Sequence, residues 1–154
     1  MNAENNVIFE WKRLAEQDLT TAHRIFELHR PMPFEIICSL SQQAAEKMLK
    51  CFLVFNAVVP PKTHNMQTLI DMCVEIDGTF STLETEADKL TDYGVMPRYP
   101  AELDLDEPDA ELALKYADKI VAYVNSLVFP PIEEEITTEE ENPADEIDGN
   151  EDES

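Results

Sequence analysis

The chain has 154 residues, of which 44% are hydrophobic and 29% charged, a length and composition that suit one globular domain. Its 33 acidic residues outnumber its 11 basic ones, and the formal net charge of -22 argues against a protein that coats duplex nucleic acid by neutralising phosphates. Only three glycines occur, which disfavours a turn-rich all-β fold and a glycine-rich phosphate loop.

The first helix is predicted from about residue 4 to residue 30, where apolar side chains recur at spacings of three to five. Pro31 and Pro33 end it, because proline cannot continue the helical hydrogen-bond pattern. The second helix is predicted from Phe34 to about Val58. It has the most continuous apolar face, so we expect it to lie at the centre of the core.

A third helix is predicted after the break at Pro60 and Pro61. Thr63 or Asn65 can cap its start, and Gly78 is expected to close it. Its apolar residues follow a helical spacing: Met66, Leu69, Ile70, Cys73 and Ile76.

Two further helices follow in the second half of the chain. Ser81 and Glu84 have the spacing of a capping box and predict a fourth helix that fades near Gly94. Pro108 is well placed as the first residue of a last helix that runs to Val128. Five amphipathic helices with short loops predict an all-α bundle, and the sequence contains no credible strand.

The chain changes character at Pro130, beyond which there is no basic and no aromatic residue. Residues 130–154 contain twelve acidic side chains, so we divide the chain into a helical domain at 1–129 and an acidic tail at 130–154. The tail is expected to be disordered, because it has too little apolar surface to offset the entropy of ordering. It can act as a solubilising extension or as a nucleic-acid mimic that covers a basic site.

Several kinds of location and site are disfavoured. The sequence has no basic segment followed by an apolar stretch, and no window approaches the roughly 18 apolar residues of a membrane span, so we expect a cytoplasmic protein without membrane association. Cys38, Cys51 and Cys73 are set among apolar residues and are expected to be buried, reduced thiols. The three histidines form no metal-binding pair on a helix, so neither a metal nor a cofactor is expected.

The candidate binding residues lie on the second helix, where Gln43, Glu46, Lys47 and Lys50 recur at three and four residues and share a face. Glu46 and Lys50 have the i to i+4 orientation that favours an ion pair. One interpretation is a solvated, self-paired polar face. The other is a positive site for phosphate, in which Arg98 joins the two lysines.

Other side chains could complete such a site. Tyr93 or Tyr99 could stack on a base, or could anchor a loop by hydrogen bonds. Asp18 of the first helix could accept a hydrogen bond from Lys47 and so brace or position it. His64, in the turn before the third helix, could be a structural part of the cap or could transfer a proton.

Three short motifs occur in a specific order: QQAAEK-LK at residues 42–50, Thr63-His64 followed by Leu69, and Tyr93 before Arg98-Tyr99-Pro100. Together they resemble the HEPN domain family over about residues 9 to 128. The resemblance implies an up-and-down helical bundle, commonly dimeric, whose members are associated with nucleotides. Some members are RNA-cleaving toxins, and others lie beside a minimal nucleotidyltransferase partner.

The ribonuclease members of this family carry an Arg followed after four to six residues by a His, late in the bundle. In this sequence the matching pair is Arg24 and His29, which lie in the first helix and which we interpret as surface residues. Arg98 occupies the late position with no His after it. Since an acid or base must reach the proton that it moves, this departure argues against RNA cleavage, and no catalytic residue is predicted.

The leading hypothesis is a dimeric HEPN-like binding module for a nucleotide or short RNA, without turnover, paired with a nucleotidyltransferase in a toxin-antitoxin-like system. Its expected binding residues are Lys47, Lys50, Arg98, Tyr93 and Tyr99, supported by Asp18, Gln43, Glu46 and His64. Two competing hypotheses are a metal-independent ribonuclease that the acidic tail masks, and a purely structural domain that docks on a partner protein.

Overall fold

The computed structural model of the chain describes residues 3–93 and 104–132. Within these ranges the chain forms five α-helices, one short 3-10 helix and no strand. The α-helices are α1 (Ala3–Leu28), α2 (Phe34–Phe55), α3 (Met66–Ile76), α4 (Glu84–Thr91) and α5 (Glu107–Val128), and the 3-10 helix (Gly78–Leu83) lies between α3 and α4. The predicted all-α bundle is confirmed.

Helix α2 lies at the centre of the bundle, as its apolar face predicts. It packs most extensively against α1 and α5, and it also contacts α3 and α4. Fourteen of its 22 residues are buried, so more than one of its faces contributes to the core. The connection between α1 and α2 is only five residues long, which makes the two helices antiparallel neighbours.

The 3-10 helix is attached to the core by Phe80, which is fully buried. The ring centroid of Phe80 lies 4.4 Å from that of Phe52 on α2 and 5.1 Å from that of Tyr123 on α5. These aromatic contacts hold the α3–α4 side of the molecule against α2 and α5.

Most helix ends lie close to their predicted positions. Helix α1 ends at Leu28 rather than near residue 30, and α2 ends at Phe55 rather than near Val58. Asn65 caps α3, because its side-chain oxygen accepts hydrogen bonds from the backbone N–H groups of residues 67 and 68 at 2.9 and 3.3 Å. Gly78 begins the 3-10 helix, and α3 already ends at Ile76.

The capping box predicted at Ser81 and Glu84 is wrong. Ser81 lies inside the 3-10 helix, whose own start is capped by Asp77 through a hydrogen bond of 3.0 Å from the backbone N–H of Thr79. Leu83 takes the N-cap position of α4 and makes no side-chain cap. The local pattern fails here because Leu83 is buried, and the 3-10 turn is what brings it to the core.

Helix α5 begins with a different capping box. The backbone N–H of Asp109 donates to the Asp106 carboxylate at 3.1 Å, and the backbone N–H of Asp106 donates to the Asp109 carboxylate at 3.0 Å. Pro108 is the second residue of this helix, one position after the predicted one.

The three cysteines are buried and reduced, as predicted. Burial raises the pKa of the Cys38 and Cys73 thiols to about 12 and that of Cys51 to about 11. Since the thiolate is the nucleophilic form, we expect these residues to react slowly in the folded protein.

None of the described helices combines the length and apolar character that crossing a membrane requires. The predicted end of the fourth helix near Gly94 and the acidic tail from residue 133 onward lie outside the described residues.

Candidate functional site

The lysines of α2 meet α1 at the middle of the α1–α2 contact. The Nζ atom of Lys47 lies 2.5 Å from Oδ2 of Asp18 on α1, and both side chains are partly buried. The hydrogen bond predicted between these two residues is therefore present. A lysine ammonium has three N–H donors, and Asp18 uses one of them, so two remain for another acceptor.

Glu46 is the centre of a second polar group on the same face of α2. Its Oε1 atom lies 3.1 Å from Nζ of Lys50 and 2.8 Å from Nδ1 of His64. Glu46 is only 4% exposed and Lys50 only 9%. The ion pair that the spacing favours is present, and the interpretation of a solvated face does not hold for Glu46 and Lys50, because α2 is the central helix and this part of its polar face is covered.

His64 links the α2–α3 connection to α2. Its side chain is 81% exposed although its Nδ1 is bound to a buried carboxylate. The backbone carbonyl of the same residue lies 3.5 Å from Nε2 of Gln42, which is also buried. With Nδ1 as the donor to Glu46, the neutral ring presents Nε2 to solvent as a hydrogen-bond acceptor.

Trp11 of α1 also belongs to this site, although no motif in the sequence pointed to it directly. The Nζ atom of Lys50 lies 5.9 Å from the centroid of the indole ring, within the range of a cation–π contact. Trp11 precedes Asp18 by seven residues, or about two helical turns, so the two residues share the side of α1 that faces α2. That spacing is the pattern that could have placed Trp11 here.

Two predicted site residues lie apart from this group. Gln43 donates from Nε2 to Oγ of Ser39 at 3.0 Å, so its amide contacts α2 itself. Tyr93 packs against the core, and desolvation, with the nearby Cys38 and Asp109 adding to it, raises the pKa of its hydroxyl to about 12.

Cys38 lies near the start of α2, so its proximity to Tyr93 places Tyr93 beside the first turns of that helix. Lys47 and Lys50 lie nine and twelve residues after Cys38, which is about 14 to 18 Å along the helix axis. Tyr93 therefore does not meet the two lysines. Arg98 and Tyr99 lie outside the described residues.

The charges of the site are balanced internally. Lys47 is paired with Asp18 and Lys50 with Glu46, so the four groups carry no net charge. Lys50 and Glu46 are buried deeply enough that removing either one leaves an uncompensated charge. The partly exposed Lys47 is the cation of this site that a ligand can approach without separating an ion pair.

The remaining histidines lie elsewhere. Nε2 of His23 contacts Asp118 of α5 at 2.8 Å, and Nδ1 of His29 lies 3.4 Å from the carbonyl oxygen of Pro31. Arg24 and His29 are both exposed, but only Arg24 lies in α1; His29 lies just beyond its last residue, Leu28, so the prediction that both belong to the first helix is wrong for His29. In the parts of the chain that are described, no three His, Cys, Asp or Glu residues are grouped as metal ligands.

Comparison with known proteins gives a consistent family and fold. The sequence profile of the HEPN domain matches residues 8–127. The crystal structure of TT1696 from Thermus thermophilus superposes with a TM-score of 0.67 and 26% sequence identity, covering 77% of this chain and 96% of that one. ST0689, an archaeal HEPN homologue, superposes with a TM-score of 0.63 and 24% identity, covering 79% and 97%, which is a similarity of fold. No curated protein has a significant match to the sequence.

Proposed function

This chain belongs to the HEPN domain family, and from that premise we propose that it is a binding module for a nucleotide or a short single-stranded RNA, without catalytic turnover. The observation that best supports this proposal is the partly exposed ammonium of Lys47, held in place by Asp18 in an otherwise acidic domain. A lysine fixed by one carboxylate is already oriented, so less side-chain entropy is lost when a phosphate accepts its remaining N–H groups.

In this proposal the residues around Lys47 make the other contacts with the ligand or hold those contacts in place. Nε2 of His64 accepts a hydrogen bond from a base amino group or a ribose hydroxyl. Lys50, whose charge is balanced by Glu46, keeps the Trp11 indole in place beside the site. Arg98 and Tyr99 supply a bidentate phosphate contact and a stacking surface, and Tyr93 anchors the start of the segment that carries them.

The wider setting of the module is proposed from its family. We place it in the cytoplasm as a homodimer that works beside a nucleotidyltransferase in a toxin-antitoxin-like system. Turnover is left out because the Arg24 and His29 pair lies at the end of α1 rather than late in the bundle, and the other histidines contact Asp118 and Glu46.

Calorimetric titration of the full chain with ATP, GTP and a short single-stranded RNA tests the proposal. Lys47→Met should weaken the binding of whichever ligand gives heat, whereas Lys89→Met should leave it unchanged. Lys89 is the matched control, since it is exposed on α4 and its substitution removes the same charge. Absence of heat with every ligand at millimolar concentration would contradict the proposal and favour a structural domain that docks on a partner protein.

A further inference from the structure

One end of the bundle carries an apolar surface that the described residues leave open. A hollow of about 440 Å³ lies between the first turns of α1 and the end of α2. Val59 is 88% exposed there, and the side chains of Val7 and Phe55 are about half exposed. We name this surface the end groove; it is lined by Val7, Ile8, Val54, Phe55, Val58 and Val59.

The chain leaves the helical domain beside the end groove. Helix α5 ends at Val128, and the ring centroid of Phe129 lies 5.4 Å from that of Phe9 on α1. Phe129 lines a second hollow together with Ile8 and Phe55, and these two residues also line the end groove. The two hollows therefore adjoin, and the segment after Phe129 starts at the edge of the end groove.

The segment that starts there has apolar residues with a suitable spacing. Ile132 is 90% exposed, and Ile136 follows it by four residues. A spacing of four places two side chains on the same side of the chain in a helical turn and in an extended strand alike. In a helical turn all three glutamates between the two isoleucines can stay in water, whereas in an extended strand Glu133 and Glu135 can and Glu134 lies on the same side as the isoleucines.

Charge and covalent attachment both favour the segment after Phe129 as the occupant of the end groove. Lys62 is exposed and lies two residues after Pro60, which lines the end groove, and it makes no ion pair with any described residue. It can therefore accept one of the glutamates at 133–135 as a partner. Because Ile132 is covalently attached at the edge of the groove, its effective concentration is high, and contacts too weak to hold a separate molecule suffice.

We propose that residues 132–136 fold back onto the end groove, with Ile132 and Ile136 packed against Phe55 and Val59. The first part of the acidic tail then covers the apolar end of its own domain, and the remaining carboxylates extend from that end into solvent. Covering such a surface prevents association of two copies through it. This inference does not depend on the proposed ligand site.

A nitroxide attached to Glu139→Cys tests the proposal in the full chain. The native thiols are buried, so the added cysteine reacts selectively. The methyl NMR signals of Val7 and Val59 should lose intensity several-fold, while those of Leu112, near the other end of α5, keep theirs. Ile136→Asp should restore the lost intensity, and the matched control Ile147→Asp, farther along the tail, should not.

Two results would overturn the inference. One is uniform weak broadening that Ile136→Asp does not change, which indicates a tail without a preferred contact. The other comes from mixing isotope-labelled chains that carry no nitroxide with unlabelled chains that carry it. In that mixture the nitroxide reaches Val59 only from another chain. If the Val59 signal broadens there as strongly as when both labels are on the same chain, the groove is occupied by the tail of a second copy.

Discussion

Oε1 of Glu46 lies 2.8 Å from Nδ1 of His64, so an acidic side chain that is 5% exposed holds a histidine side chain that is 81% exposed. The two residues are 18 positions apart, on α2 and on the connection that follows it. The same oxygen accepts a hydrogen bond from Lys50. One buried acidic residue thus fixes the α2–α3 connection, a lysine and a solvent-facing histidine, and its loss should affect both stability and ligand binding.

Glu46→Leu is expected to destabilise the fold by about 3 kcal/mol, because it leaves the buried ammonium of Lys50 without a partner. The double variant Glu46→Leu with Lys50→Leu should recover most of this loss, since both buried charges are then removed. Urea unfolding followed by circular dichroism measures both effects. If the double variant is no more stable than the single one, Lys50 is not the group that Glu46 compensates.

Two substitutions compare the start of α3, where the predicted cap is present, with the start of α4, where the predicted capping box is absent. Asn65→Ala should reduce the free energy of unfolding by about 1 kcal/mol, because it removes the acceptor for two backbone N–H groups of α3. Ser81→Ala should change it by less than about 0.5 kcal/mol, because Ser81 is exposed and lies inside the 3-10 helix. Equal losses in thermal unfolding would mean that Ser81 caps α4 after all.

The buried thiols predict a loss of stability at alkaline pH. The pKa of Cys73 is raised from 9.0 to about 12 by burial, and that of Cys38 is raised to about 12 as well. Between pH 9 and about 12 the unfolded chain releases these protons while the folded chain keeps them, so the free energy of unfolding falls as the pH rises. Below pH 9 the thiols are protonated in both states and contribute no slope.

Urea unfolding at a series of alkaline pH values measures this dependence. Cys73→Ala should give a shallower decline with pH than the natural chain, although its stability at neutral pH is lower because of the cavity it leaves. The same burial predicts that a thiol reagent modifies the three cysteines in urea and hardly at all in the folded protein. Rapid modification of the folded protein at neutral pH would contradict the assigned burial.

Much of the fold follows from local patterns in the sequence. The prolines at 31, 33, 60 and 61 delimit α2, and its continuous apolar face predicts a central helix. The burial of Glu46 and Lys50 does not follow, because a polar face at helical spacing has the same pattern whether or not other elements cover it. What covers this face is α1 and the connection that carries His64, and those contacts are long-range.

The candidate site could likewise be predicted only in part from the sequence. Asp18 and Lys47 could be paired from the sequence, because both lie on the facing sides of adjacent antiparallel helices. Trp11 could not be assigned by residue type, since an aromatic residue on the inner side of a helix is compatible with packing or with a site. The failed capping box at Ser81 shows the limit of local pattern matching, because the burial of Phe80 and Leu83 determines the turn at that point.

The most direct test of the proposed binding module compares Asp18→Asn with Lys47→Met in a titration with short single-stranded RNA at low salt. Asp18→Asn removes the carboxylate that competes for the ammonium of Lys47 and keeps a hydrogen-bond acceptor, so RNA affinity should rise. Lys47→Met should lower it, and both differences should shrink as salt is added. Equal affinities for the two variants and the natural chain would contradict a phosphate site at Lys47.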